Sequence, residues 1–218
     1  MRIPGLKSTK YWRGYWRNRK DIDWHQAYFT PEHPHRNVII EHLKRFKFRS
    51  VLEVGCATGA NLFKIKQNFP HSDIGGMDWS ANAIEEAKKM LPKATVLQVG
   101  EAMDIYISDK GADILLSDMC YIYLDKKNFH KALGEARRVA RNGIVFCEFH
   151  HENWFVQKIL KWVTGYNSYN YIKELKKEGF SDIEMTKLTE KDWPISEQKK
   201  WYGINLQWSY GYVISARK

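Results

Sequence analysis

The sequence has little cysteine, no long apolar run and no acid in its first twenty residues. Three cysteines, Cys56, Cys120 and Cys147, stand far apart with no C-x-x-C spacing. That argues against a disulfide framework and against a zinc site, so no metal is expected. No run is long enough to span a bilayer, and the first residues lack the apolar core of a signal peptide. The expected location is therefore cytoplasmic, with no membrane partner. Internal repeats, low-complexity tracts and linkers are also absent, so one α/β domain is expected over 218 residues.

Charge is unevenly spread. Residues 1–50 carry 12 Lys/Arg against 4 Asp/Glu, whereas residues 51–150 carry 12 against 13. The basic excess thus sits on an N-terminal arm, placed at residues 1–36, ahead of a domain placed at 37–218. Within the arm Tyr11, Trp12, Tyr15 and Trp16 recur at a spacing of four, as do Trp24 and Tyr28. On a helix that spacing puts rings on one face. Two readings stay open. The arm packs its aromatics over the domain as a lid, the favoured reading, or it tracks a polyanion with bases stacked on its rings.

The most informative stretch is Ser50 to Leu62. Val51, Leu52 and Val54 read as a buried strand. Gly55 and Gly59 bracket a tight turn, and a helix follows from Ala60 to about Phe69. This is the strand–turn–helix unit that binds a nucleotide outside the strand's carboxyl end. The dinucleotide pattern G-x-G-x-x-G is not met, because Ala57 and Ala60 occupy glycine positions, and no P-loop lysine follows. Strands are then expected at 73–78, 95–99, 112–118, 144–149, 181–187 and 211–216. Helices are expected at 81–90, 129–140 and 169–178, with others after Trp154 and before Ser50. The order predicts a doubly wound, mostly parallel seven-stranded sheet with helices on both faces. Asp78 lies 23 residues past Gly55, where a carboxylate can accept from ribose hydroxyls.

The pattern Glu53-x-Gly55-x-Ala57-x-Gly59, followed in order by Asp78 and by Gly100-Glu101-Ala102, resembles the class I S-adenosylmethionine (SAM)-dependent methyltransferases. The resemblance implies an antiparallel last strand and SAM as cofactor, with S-adenosylhomocysteine as product. It implies a cofactor site at Glu53, Gly55, Cys56, Ala57, Gly59, Asn61, Asp78, Trp79, Ser80, Gly100, Glu101, Ala102, Asp118 and Met119. Within it Asp78 would hold the ribose, Trp79 would lie on the adenine, and Glu101 and Ala102 would meet the adenine edge.

Neither Asn/Asp-Pro-Pro-Tyr/Phe nor Pro-Cys is present, which disfavours exocyclic amines of bases and cytosine C5 as targets. The expected reaction is methyl transfer to a small hydroxyl- or amine-bearing metabolite, with a sugar as one such acceptor. RNA or another polyanion, bound through the arm, is the alternative. A third reading is a non-catalytic SAM-binding protein. His150, Glu148 and Tyr121 are the candidate catalytic groups. Trp12, Trp16, Arg36, Tyr123, His151 and Trp201 are the candidate acceptor contacts. The acceptor's identity and the oligomeric state stay open.

Overall fold

A computed structural model describes residues 7–194 and 211–218. Seven strands form one sheet: β1 Ser50–Val54, β2 Asp73–Asp78, β3 Val96–Val99, β4 Ala112–Asp118, β5 Ala140–Phe149, β6 Ser181–Lys187 and β7 Gly211–Arg217. Their order across the sheet is β3-β2-β1-β4-β5-β7-β6. Strands β1 to β5 run parallel, and β7 inserts antiparallel between β5 and β6. The order reverses between β1 and β4, so a crevice opens beyond their carboxyl ends.

Among the described residues eight α-helices surround the sheet: α1 Thr9–Arg17, α2 Trp24–Tyr28, α3 His35–Leu43, α4 Ala60–Asn68, α5 Ala81–Met90, α6 Lys126–Val139, α7 Trp154–Thr164 and α8 Tyr171–Lys177. Both faces of the sheet are covered, each with its own apolar cluster. One gathers Ile39, Leu43, Leu62, Ile65 and Ile84 from α3, α4 and α5. The other gathers Phe129, Leu133, Ala136 and Leu175 from α6 and α8, and it takes in Trp12 of α1. Caps follow local chemistry: Ser80 accepts from the Ala83 N–H, and Asp125 from that of Asn128.

The structure moves some of the expected boundaries. First, β5 begins at Ala140 rather than after the Asn142-Gly143 pair. Gly143 sits inside the ladder because a side chain there would strike the Ala216 carbonyl of β7 at 2.3 Å. Second, α3 begins at His35, so a boundary after residue 36 cuts a helix. Gly14 lies within α1.

Candidate active site

A cavity of about 750 Å³ lies beyond the carboxyl ends of β1, β2 and β4, beneath α1 and α2. Its sheet-side wall is built from short loops. After β1 the chain turns through Gly55 (φ 77°), Ala57 (φ 45°) and Gly59 (φ 83°). Ala57 thus holds the left-handed conformation that glycine takes without cost. The Gly59 cap offers no side chain to α4, so the helix directs its first turn, with Ala60 and Asn61, at the cavity. A Cβ at Gly55 would lie 2.6 Å from the Cβ of Cys120, so the two loops touch there.

Asp78 ends β2 and lines the cavity beside Trp79. Its carboxylate accepts from the Ala57 N–H (3.0 Å) and the Ser80 N–H (2.8 Å), joining the β1 and β2 loops. Burial pushes its pKa up. Ser80 itself is fully buried as the cap of α5. Glu53 is buried as well, and Asn61 donates to its Oε1 at 2.6 Å. Desolvation raises the Glu53 carboxyl to about 8.

Asp118 gathers donors at one oxygen. His35 Nε2 reaches its Oδ2 at 2.9 Å, Asn61 Nδ2 at 3.0 Å and Arg36 Nη1 at 3.1 Å. These neighbours, His35 foremost, hold Asp118 well below the usual carboxylate range despite its burial. The Cys147 thiol lies close by, and His35, Asp118 and Cys147 present ligand atoms within 4.8 Å of one another. A metal ion there would face the Arg36 guanidinium already bound to Asp118. The cluster reads as a polar knot tying α3 and α4 to β4. Beyond it Met119 takes φ 51°, a strained value for a side chain at a cavity wall.

The opposite wall is aromatic. Trp12 is 4% exposed and lies 4.9 Å from the Tyr123 ring and 5.4 Å from that of Tyr166. Trp16 contacts Tyr123, Trp24 and Tyr28. The arginines of α1 are engaged, Arg13 and Arg17 binding Glu101 at 2.7 and 2.8 Å, and Arg19 just beyond the helix pairs with Asp21.

Of the expected cofactor residues, Glu53, Gly55, Cys56, Ala57, Asn61, Asp78, Trp79, Gly100, Ala102, Asp118 and Met119 line this cavity. Gly59, Ser80 and Glu101 do not. The first two shape its loops, and the Glu101 carboxylate turns to the two α1 arginines. Trp12, Trp16, Arg36 and Tyr123 line it too. Trp201 lies outside the described residues.

The three candidate catalytic groups are placed elsewhere. Side chains alternate along β5, and Phe149 takes the cavity side. Glu148, next to it, is fully buried and accepts from Ser117 Oγ and from the N–H groups of Cys120, Tyr121 and Ile122. It clamps the loop after β4, and burial raises its carboxyl to about 7. His150 is buried with Nδ1 accepting from the Tyr171 N–H, and burial lowers its pKa. Tyr121 is fully buried near Phe129 and Phe146. His151 lies beside the start of α7, where Nδ1 accepts from the Asn153 N–H. None of these four lines the cavity.

The sequence reading did not select Tyr166, Phe149 or Tyr28, which do line it. Tyr28 belongs to the aromatic pattern of the arm, no local motif marks Tyr166 or Phe149, and Tyr166 reaches the site because α7 ends at Gly165 (φ 77°).

Residues 51–143 match the family described as "Methyltransferase domain". Trans-aconitate 2-methyltransferase of Afipia carboxidovorans is 26% identical over 88 residues, 40% of this chain and 33% of that protein. Malonyl-[acyl-carrier protein] O-methyltransferase 1 of Ilyobacter polytropus is 34% identical over 77 residues, 35% of this chain and 29% of that protein. The matches therefore span about a third of those relatives' length. Geranyl diphosphate C-methyltransferase of Streptomyces coelicolor A3(2), solved with Mg2+, geranyl diphosphate and S-adenosylhomocysteine, superposes with a TM-score of 0.68. It is 14% identical, and the alignment covers 100% of this chain and 99% of that one, a likeness of fold. Residues 51–143 thus match a methyltransferase domain, and the strand order is that of the Rossmann-like fold of the class I S-adenosylmethionine-dependent methyltransferases.

Proposed function

We propose that this protein transfers a methyl group from SAM to a small-molecule acceptor, a hydroxyl- or amine-bearing metabolite. The observation that carries this reading is the two-walled cavity, with carboxylates at strand ends on one side and the rings of α1 and α2 on the other. Its volume is in the range of small-ligand sites.

The residues fit the cofactor. Glu53 Oε2 and Asp118 Oδ1 are buried without a hydrogen-bond partner, and two orphan carboxylate oxygens suit a cationic group. Asp78 would hold the ribose, Trp79 and Ala102 would flank the adenine, and Glu53, Asn61 and Asp118 would hold the amino-acid end. When bound, SAM supplies a methyl already activated on a sulfonium. The chain's own task is then to orient the acceptor and exclude water. Trp12, Trp16, Tyr123, Tyr166 and Phe149 shape that space. A nucleophile that arrives protonated needs a proton acceptor, and the imidazoles among the cavity-lining residues are His33 and His35, the latter backed by Asp118. His33 and His35 thus replace His150 in that proposed role.

The RNA reading draws less support. Arg13, Arg17 and Arg19 are already paired, and the arm's inner rings stack on the protein. Residues 1–36 therefore read best as a lid joined to one catalytic domain. Unpaired, sparse cysteines favour a cytoplasmic setting. Among the described residues no helix is long and apolar enough to cross a membrane.

The test is transfer of labelled methyl from SAM into a cell extract, followed by size separation with and without nuclease. Label in a low-mass, nuclease-indifferent fraction is expected. Label in a large nuclease-sensitive fraction would make the arm a polyanion tract. SAM binding with no transfer to any fraction would point to a non-catalytic binding protein.

A further inference from the structure

Helix α7 turns its apolar residues outward. It is well bounded: Asn153 Oδ1 accepts from the Phe155 and Val156 N–H groups, and Gly165 ends it in the left-handed conformation. Leu160 is its one buried residue. Trp154 is 63% exposed, Phe155 58%, Ile159 45% and Trp162 65%. Trp154, Lys158 and Trp162 form one row at a spacing of four, and Phe155 and Ile159 form the row beside it. The Lys158 ammonium sits 4.5 Å from the Trp154 ring centroid, and Lys161 flanks the stripe. The helix carries no acid.

Scattered exposed apolar residues need no explanation, but four large ones in adjacent rows do. The composition identifies what covers them. Indole rings and lysines together suit the boundary of a bilayer, where rings enter the interface and ammonium groups stay among headgroups. Two lysines without a carboxylate, on a chain of net charge +10, match a negative surface. The position fits as well. Phe149 and Tyr166, which precede and follow α7, both line the cavity. A surface that seats α7 therefore lies close to the active site.

We propose that α7 is an in-plane docking helix for a membrane surface bearing anionic lipid. It lies on the bilayer and does not span it. This goes beyond the proposed reaction and stands or falls separately from it.

The experiment is co-sedimentation of the full chain with vesicles of phosphatidylcholine alone, and with vesicles that also contain phosphatidylglycerol. Binding to the mixed vesicles is expected, weakening as salt rises. The double variant Trp154→Ser with Trp162→Ser is expected to bind them at least about tenfold more weakly. Lys158→Glu with Lys161→Glu is expected to abolish the preference for phosphatidylglycerol. SAM affinity, read by calorimetry, is expected to be unchanged in both, which establishes that they fold. A wild-type chain that stays in the supernatant with both vesicles overturns the proposal, as does a tryptophan variant that binds like wild type. A dimer in sedimentation velocity that the tryptophan variant lacks, with no vesicle binding, also overturns it and assigns the face to a second copy.

Discussion

The two walls of the cavity are made in opposite ways. The sheet side is made of strand ends and glycine turns, where each side chain is placed by backbone within a few residues of it. The arm side is made of rings held by other rings from distant segments: Trp12 meets Tyr123 and Tyr166, more than a hundred residues away. The first wall is fixed by local backbone, as the proposed cofactor site requires. The second is a packed surface whose shape depends on which aromatics meet, so it is the side on which specificity can vary.

Breaking the fixed wall should have the largest effect. Asp78→Ala removes the acceptor that joins two loops, and SAM affinity is expected to fall about 100-fold, since hydrogen bonds to a buried charge are costly to lose. Titration calorimetry reads this, and an unchanged Kd would show that the cofactor does not use this wall. On the arm side, Trp16→Ala should raise the acceptor KM about tenfold while leaving the SAM Kd within about threefold. Equal losses in both would erase the division between the walls.

A third test uses pH. The Glu53 carboxyl titrates near 8 in the folded chain against an ordinary 4.5. The folded state thus binds this proton more tightly than the unfolded one. The resulting stability is full below about 4.5 and is lost as pH rises through 8. Glu148, raised to about 7, adds to the same slope and is left in place by the Glu53 variant, while Asp118, shifted the opposite way, acts only in strong acid. The ligand-free protein should lose about 5 °C of Tm between pH 5 and 9, with a flatter profile in Glu53→Gln. A wild-type profile as flat as the variant's would mean that Glu53 is ionised throughout. The smallest effect is expected at Ala57. Replacement by glycine relieves a left-handed alanine and should stabilise the protein by about 1 kcal/mol, with SAM affinity within about threefold. Destabilisation on thermal unfolding would show that the methyl packs usefully.

The same division governs what could be read from the sequence. β1, β2 and β4, α5 and the cofactor loops were legible because short-range signals specify them: apolar runs, glycine turns, the Ser80 cap and an acid at the strand end. Glu148, His150 and Tyr121 were selected for being near a strand end, but the alternation along β5 gives the cavity to Phe149. Deciding which face of a buried ten-residue strand looks at the site requires its register against β4 and β7. Tyr166 was missed because only tertiary packing brings it to the wall.

The pairing of Arg13 and Arg17 with Glu101 carries one more consequence. Glu101 stands between Gly100 and Ala102, both in the sheet-side wall, while the arginines belong to the helix that covers the other wall. Helix α1 is therefore fastened to both walls at once, so a displacement of α1 would loosen the two walls together. The ion pairs are partly exposed, each worth up to about 1 kcal/mol, so this tie between the walls is a weak one.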